Sequence, residues 1–320
     1  MKCDKLSASK IKTNKMCEFK YYLTYHLGID LGTSFAAEQG SMVHVIFEKF
    51  GEAKRDGIKN PDIETKWYEY ILYAYQKEGI WLLSDKALYR EKACEGCQFH
   101  GIDNVCQLTN TDVSLFAGCP KDEFLDSIKL VEKIINDPGP NNPLNKEIID
   151  VEQKFDLIIE DGNEKIPVNG IIDVVTKHSF DSIEIIDYKT GKHMMSYNEC
   201  LKDPQLLIYN LAVNSQYKDY KNFFITINYL RANPITLCYE KEDLTKTTNS
   251  LIKNWYLIKG NQTPKRRCDR NDGTVVFDHI CKYMCKPEIC ETHYKEFIDN
   301  GGIILPESQG ERKKKTWIFE

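Results

Sequence analysis

Three β-rich segments follow the break "DPGPNNP" (137–143): "IIDVEQKFDLII", "IPVNGIIDVVTK" and "IEIIDYKT". Each is dominated by Val and Ile, and "EDGN" between the first two is a hairpin turn signal. Pro and Gly in the break stop the helix "DEFLDSIKLVEKIIN" that precedes it. After the third segment the pattern changes to a helix, "DPQLLIYNLAVNSQY", then strands "FFITINYL" and "ITLCYE", then a helix, "EKEDLTKTTNSLIKNWYLIKG". Upstream, "SASKIKTNKMCEFKYYLTY", "EQGSMVHVIFEKFGEAKRDG" and "TKWYEYILYAYQKEGI" read as three helices, the second with Val43, Phe47 and Phe50 on one face. The expectation is an α/β core between helical and cysteine-rich flanks. Its parts are an N-terminal helical part (1–90), a cysteine-rich insertion (91–120), a core (121–260) and a C-terminal cysteine-rich, basic segment (261–320) closing onto the N-terminus.

No charge-free apolar run is long enough to cross a bilayer, and the first residues lack the apolar centre of a secretory signal. A cytoplasmic protein without a membrane partner is expected. A net charge of −5 excludes a chain that is basic throughout, but not a local basic track such as Lys265, Arg266 and Arg267 or Arg312 to Lys315. The twelve cysteines are clustered, and in a reducing compartment clustered thiols read as metal ligands before disulfides.

Side chains alternate along a strand, so Asp187 and Lys189 share a face and Tyr188 points away. Asp173 in "GIIDVV" meets Asp187 if their strands pair. Two carboxylates and a lysine suit phosphodiester hydrolysis: the acids hold Mg²⁺ or Mn²⁺, and the lysine orients water or offsets developing charge. Taken alone, the D-x-K pattern suits acids flanking buried strands better than it suits a site. "GSMVHVIFE" puts Gly40, His44 and Glu48 on one helix face, and "DPQLLIY" does the same for Gln205 and Tyr209. Gln205 suits a phosphate or base edge and Tyr209 a base face or backbone, with packing the alternative for each.

In order, G-x3-H-x3-E, an acid ahead of the strands, G-x2-D, D-x-K and Q-x3-Y resemble the RecB-like branch of the PD-(D/E)XK nuclease superfamily. That branch includes the nuclease domains of RecB and AddB, CRISPR-associated RecB-like exonucleases and many phage exonucleases. The resemblance implies a restriction-endonuclease-like core, a central mixed sheet flanked by helices. It implies His44, Asp173, Asp187 and the Tyr188 carbonyl as ligands of Mg²⁺ or Mn²⁺, with Lys189 catalytic. Gln205 and Tyr209 would position DNA, and Glu48 and Glu152 are candidate accessory acids. From their charge alone, Lys265, Arg266 and Arg267 read as phosphate contacts, with solvated charge the alternative. The expected activity is a DNA exonuclease acting on single strands or duplex ends in recombination, repair, or phage or CRISPR DNA processing. A structure-specific or nicking endonuclease and a non-catalytic DNA-binding subunit are the alternatives. No Walker A pattern occurs, so ATP-driven unwinding falls to a helicase or other partner.

"HICKYMCKPEIC" holds Cys281, Cys285 and Cys290, and "CEFKYY" begins with Cys17. The resemblance implies a four-iron four-sulfur cluster on these four thiolates, tying the chain's ends together. The family's C-x2-C-x5-C becomes C-x3-C-x4-C here, and Cys268 is an alternative ligand. Zinc, or no metal, remain alternatives. Cys94, Cys97, Cys106 and Cys119 form a zinc-ribbon-like second set, with His100 able to replace one thiolate. A closed structural zinc is expected there, with a second cluster or free thiols as alternatives. Cys3, Cys200 and Cys238 are isolated and read as packing or surface thiols.

Overall fold

The computed structural model describes residues 1–29, 31, 35–57, 101, 105–107, 111–112, 121–270 and 273–304. The expected helix "TKWYEYILYAYQKEGI", the thiols Cys94, Cys97 and Cys119, His100 and the basic run Arg312 to Lys315 lie outside the described residues. In chain order the described elements begin with α1 (Ala8–Met16), α2 (Glu18–Tyr21), a π-helical turn (Tyr22–His26) and α3 (Phe35–Arg55). The short strands β1 (Val105–Cys106) and β2 (Thr111–Asp112) follow, then α4 (Lys121–Ile135), a 3-10 turn (Pro143–Asn145), β3 (Glu147–Asp161), β4 (Glu164–Ser179) and β5 (Ser182–Lys189). The remainder is α5 (Tyr197–Cys200), α6 (Pro204–Gln216), β6 (Asn222–Tyr229), β7 (Ile235–Cys238), α7 (Lys241–Gly260), α8 (His279–Met284) and α9 (Pro287–Asp299).

The chain divides into two units. The larger comprises Lys5–Ser9 and Gly32–Ile252. Its five-stranded sheet runs in the order β3-β4-β5-β6-β7. The hairpins β3–β4 and β4–β5 are antiparallel, as their short turns require, while α6 carries the chain across to make β5–β6 parallel. The sheet is therefore mixed. Met42, Val43, Ile46, Phe47 and Phe50 of α3 pack with Leu130, Val131 and Ile134 of α4 against Val174, Ile186 and Tyr188 of the sheet. Tyr188 stacks on Phe47 with ring centroids 4.2 Å apart, which assigns its side chain to the core and leaves only its backbone for any polar role.

Two glycines mark close approaches. A Cβ on Gly40 of α3 would sit 3.1 Å from Thr190 Oγ1, just beyond β5. One on Gly170, opposite Phe155, would come within 2.4 Å of Phe155 Cζ.

The smaller unit is built from the described residues of Met1–Asp4, Lys10–Leu31 and Lys253–Glu320, so it draws on both ends of the chain. Here the single N-terminal helix expected from sequence is broken. Cys17 adopts an extended backbone, and its Sγ accepts the Lys20 N–H at 3.4 Å as an N-cap for α2. Phe19, Leu23, Leu31, Cys290 and Phe297 form the core of this unit, with Tyr294 edge-on to Phe19. The Glu18 carboxylate accepts from Asn261 Nδ2 and the Lys265 N–H, both at 3.0 Å.

Candidate active site

Along α3, Ala37, Gly40, Ser41, His44, Val45 and Glu48 recur at helical spacing and line one wall of a cavity of about 410 Å³. Glu152, Ile171 and Asp173 form the sheet side of that cavity. The pairs Val151–Val174 and Gln153–Ile172 set Glu152 opposite Asp173 across the β3–β4 ladder. Glu152 itself has φ 48°, a left-handed backbone that a side-chain-bearing residue adopts at a cost in conformational energy. A register shift between Ile148 and Asp150 lies just before it. The donor atoms of His44, Glu152 and Asp173 all lie within 4.8 Å of one another.

Around this trio the buried charges are tightly bonded. His44 Nδ1 is 3.2 Å from Asp173 Oδ2, and its Nε2 is 3.0 Å from the Tyr188 carbonyl oxygen. The Tyr188 N–H donates to the same Asp173 oxygen at 2.9 Å. Burial disfavours a charged His44, but the adjacent Asp173 outweighs it and raises the imidazole to about 9. Burial also opposes the Asp173 anion, yet His44, the Tyr188 N–H and Lys189 hold that carboxyl below its usual range. Glu152 is pushed up to about 7 by burial and by the negative charges of Asp173 and Glu48.

Asp187 is fully buried, and burial raises its pKa against the pull of Lys189. Lys189 Nζ stands 2.6 Å from Asp187 Oδ2. That short charge-assisted contact is what Lys189 supplies to the buried carboxylate. Gln205 organises the pair from the first turn of α6, where Asp203 caps the helix by accepting the Gln205 N–H at 2.8 Å. Its Nε2 donates to Asp187 Oδ1 at 2.9 Å and to Tyr209 Oη at 2.8 Å, and its Oε1 accepts from Lys189 Nζ at 3.4 Å.

The chain thus brings together His44, Asp173, Glu152, Asp187, Lys189, the Tyr188 carbonyl, Gln205 and Tyr209. Glu48 lines the same cavity, with its carboxylate 3.9 Å from Lys49 Nζ. For Tyr209, expected on a base face or backbone with packing as the alternative, the structure shows packing. Its ring is buried edge-on to Phe155, and its hydroxyl braces Gln205. The basic trio 265–267 belongs to the smaller unit, where two of its members are committed internally. Arg266 pairs with Asp269 and lies 3.7 Å over the Tyr294 ring, and Arg267 pairs with Asp278 at 3.0 Å. Lys265 is exposed.

In the same unit Cys17, Cys268, Cys281, Cys285 and Cys290 are all buried. Burial pushes the Cys281 and Cys290 thiols up to about 12 and Cys285 to about 11, with the neighbouring cysteines adding to each rise. Cys17 Sγ also accepts the Arg267 N–H at 3.4 Å. Cys106 is buried in the core of the larger unit; its three proposed companions lie outside the described residues. Cys3 and Cys200 are buried and Cys238 is exposed.

Sequence reasoning missed a second bonded group. Arg231 Nε donates to the Thr190 carbonyl at 2.7 Å and its fork grips Asp126, which also accepts from Gln39 Nε2 at 2.7 Å. The one available signal was a cation ending the strand "FFITINYL".

Residues 5–93 and 128–283 match the family model of the PD-(D/E)XK nuclease superfamily. The chain is 25% identical over 215 residues to an ATP-dependent helicase/deoxyribonuclease subunit of Streptococcus agalactiae, in strains of serotypes Ia, V and III. That stretch is 66% of this chain but 16% of those relatives, so the chain spans only a small part of their length. Among solved structures, a Eubacterium rectale protein named "Putative exonuclease" aligns with a TM-score of 0.47 at 11% identity, covering 88% of this chain and 94% of that one. Among the described residues, no helix is long and apolar enough to cross a membrane.

Proposed function

The chain belongs to the PD-(D/E)XK nuclease superfamily, and we propose that it is a metal-dependent DNA exonuclease of the RecB-like kind, acting on single strands or duplex ends. The observation that carries this reading is the trio of His44, Glu152 and Asp173 donors within 4.8 Å, beside the buried Asp187–Lys189 pair. The donor set fits a hard divalent cation: carboxylate and carbonyl oxygens and one imidazole, with the His44, Glu152 and Asp173 donors all within 4.8 Å of one another. Mg²⁺ or Mn²⁺ held by His44, Asp173, Asp187 and the Tyr188 carbonyl, with Glu152 adjoining, would supply phosphate polarisation and an acidified water.

The protein's own groups do the rest. Lys189, partly exposed beside a buried carboxylate, carries a positive charge that burial alone would suppress, because Asp187 outweighs the desolvation. It is set to orient the attacking water or to offset charge developing on the phosphate. Gln205 fixes both Asp187 and Lys189, so neither side chain has to reorganise during the reaction. Asp173 orients His44 and the β5 backbone together.

In the smaller unit the reading extends to a four-iron four-sulfur cluster on Cys17, Cys281, Cys285 and Cys290, with Cys268 the alternative ligand. Five buried thiols near enough to perturb one another support it. Brown colour and iron content in anaerobically prepared protein test this, and zinc content on the same sample tests a closed zinc site on Cys94, Cys97, Cys106 and Cys119. The S. agalactiae relatives are named as helicase/deoxyribonuclease subunits, which supports a helicase partner delivering the DNA.

The deciding comparison is end-labelled linear DNA against closed circular DNA with Mn²⁺. Loss of label from the linear substrate with the circle intact is expected. Nicking of the circle would replace the exonuclease by an endonuclease, and inertness towards both would remove the enzymatic reading.

A further inference from the structure

The segment that follows Lys189, "TGKHMMSY" (190–197), leaves β5 directly behind the proposed catalytic lysine. Both ends are held. At its start Arg231 Nε donates to the Thr190 carbonyl at 2.7 Å. At its end the Met195 N–H donates to Tyr229 Oη at 3.1 Å. Tyr229 is the register partner of Lys189 on β6, so the loop returns to the strand beside the one it left. Ser196 and Glu199 then close a capping box on α5, in which the Glu199 carboxylate accepts from the Ser196 N–H at 2.7 Å.

What this footing presents is unusual for a loop of this length. Lys192 and His193 are exposed. Met194 and Tyr197 are 41% and 51% exposed, large apolar groups with no core to cover them. An exposed ammonium, an exposed thioether and a half-exposed aromatic ring within six residues of chain fit one chemistry well. Phosphate meets the ammonium, and an unstacked base meets the ring, a contact every base can make. A duplex end offers phosphates and only the outer face of its last base pair, whereas a single strand presents each base to the ring.

We propose that the loop 190–197 is the surface that holds a single-stranded nucleic-acid end for the site at Lys189, with Lys192 on phosphate and Tyr197 and Met194 against an unstacked base. The inference rests on the nuclease reading above and extends it to the form of the substrate. It assigns strand holding to this loop and leaves Tyr209 as an internal brace.

The test is fluorescence anisotropy of a labelled single-stranded oligonucleotide in EDTA, where cleavage is absent. The variants are Lys192→Glu, the double variant Lys192→Ala/Tyr197→Ala, and Lys189→Ala as reference. Loss of one stacking contact weakens single-strand binding by roughly five-fold or more. Loss of one phosphate contact lowers the slope of log affinity against log salt by about 0.7. A lower slope with weaker binding at low salt is expected in Lys192→Glu, the stacking loss in addition in the double variant, and thermal unfolding is expected to match wild type, since these side chains are largely exposed. Unchanged affinity and unchanged slope in both loop variants overturn the proposal, as does an equal loss on a blunt duplex. Wild-type protein that binds no single strand in EDTA likewise overturns the loop proposal, while the nuclease reading fails separately, if Lys189→Ala protein still cleaves with Mn²⁺.

Discussion

Gly170→Ala tests whether the fold and the site are built as one packed column. The added Cβ would lie 2.4 Å from Phe155 Cζ and 2.8 Å from Cε1. Carbon atoms sit comfortably at about 3.5–4.0 Å, so the ring must retreat by roughly 1 Å or more. It has no open space to enter: Phe155 is buried and meets Tyr209 edge-on at 6.3 Å. Tyr209 in turn accepts from Gln205, which holds Asp187. Overpacking of this kind costs about 1–3 kcal/mol, and the stiffer unfolded chain of the alanine variant returns about 0.4–1 kcal/mol. The net loss is about 0–2.6 kcal/mol, centred on ~1.3 kcal/mol, which at about 2–4 °C per kcal/mol lowers the unfolding midpoint by roughly 3–5 °C at the centre of that range. Thermal unfolding in EDTA measures it, and cleavage well below the midpoint measures the displacement of Gln205. Phe155→Leu combined with Gly170→Ala should recover part of both losses. A Gly170→Ala protein as stable and active as wild type, or strictly additive effects in the double variant, would refute the column.

Three further outcomes follow from named contacts. Lys146→Met strands the Glu184 carboxylate, which is 5% exposed and also accepts from Thr226 Oγ1 at 2.5 Å; urea unfolding should show a loss of about 3–5 kcal/mol, much of it recovered on adding Glu184→Gln. His44 is raised to about 9 in the folded, metal-free chain, so its pairing with Asp173 stabilises fully below the ordinary histidine range and is lost as pH rises through about 9. Metal-free protein should therefore lose on the order of 3 kcal/mol between about pH 6.5 and pH 9 from this pair, and Asp173→Asn should flatten that stretch of the stability profile. Arg231→Ala removes the grip on Thr190 and Asp126, and cleavage should fall; Arg231→Lys should not restore it, because a lysine cannot span carboxylate and carbonyl together. Full activity in the lysine variant would leave the fork without a role.

Much of this site was legible because strand periodicity is rigid. The alternation of "IEIIDYKT" separated Asp187 and Lys189 from Tyr188, and helical spacing put Gly40, His44 and Glu48 on one wall. The hairpin at "EDGN" followed from its residues in the same way. What escaped the sequence was non-local. The left-handed Glu152 follows a register shift earlier in β3, and nothing in "DVEQK" announces either. The break at Cys17 overrides a run that otherwise reads as helix, because the extended backbone there lets its sulfur cap α2 and accept from Arg267. Tyr209 was expected against DNA because its spacing from Gln205 marks a shared face, but spacing is silent on whether that face meets solvent or Phe155. The commitment of Arg266 and Arg267 to Asp269 and Asp278 is likewise invisible in a count of basic residues.

The central claim is that the cluster of His44, Asp173, Asp187 and Lys189 hydrolyses DNA with a divalent cation. Its most direct measurement is release of label from end-labelled single-stranded DNA by wild-type, Asp187→Ala and Lys189→Ala proteins, each with Mn²⁺ and with EDTA. Cleavage by wild type with Mn²⁺ alone, and by neither variant, is the predicted result. Cleavage by Lys189→Ala at the wild-type rate, or none by wild type on any DNA, would contradict it.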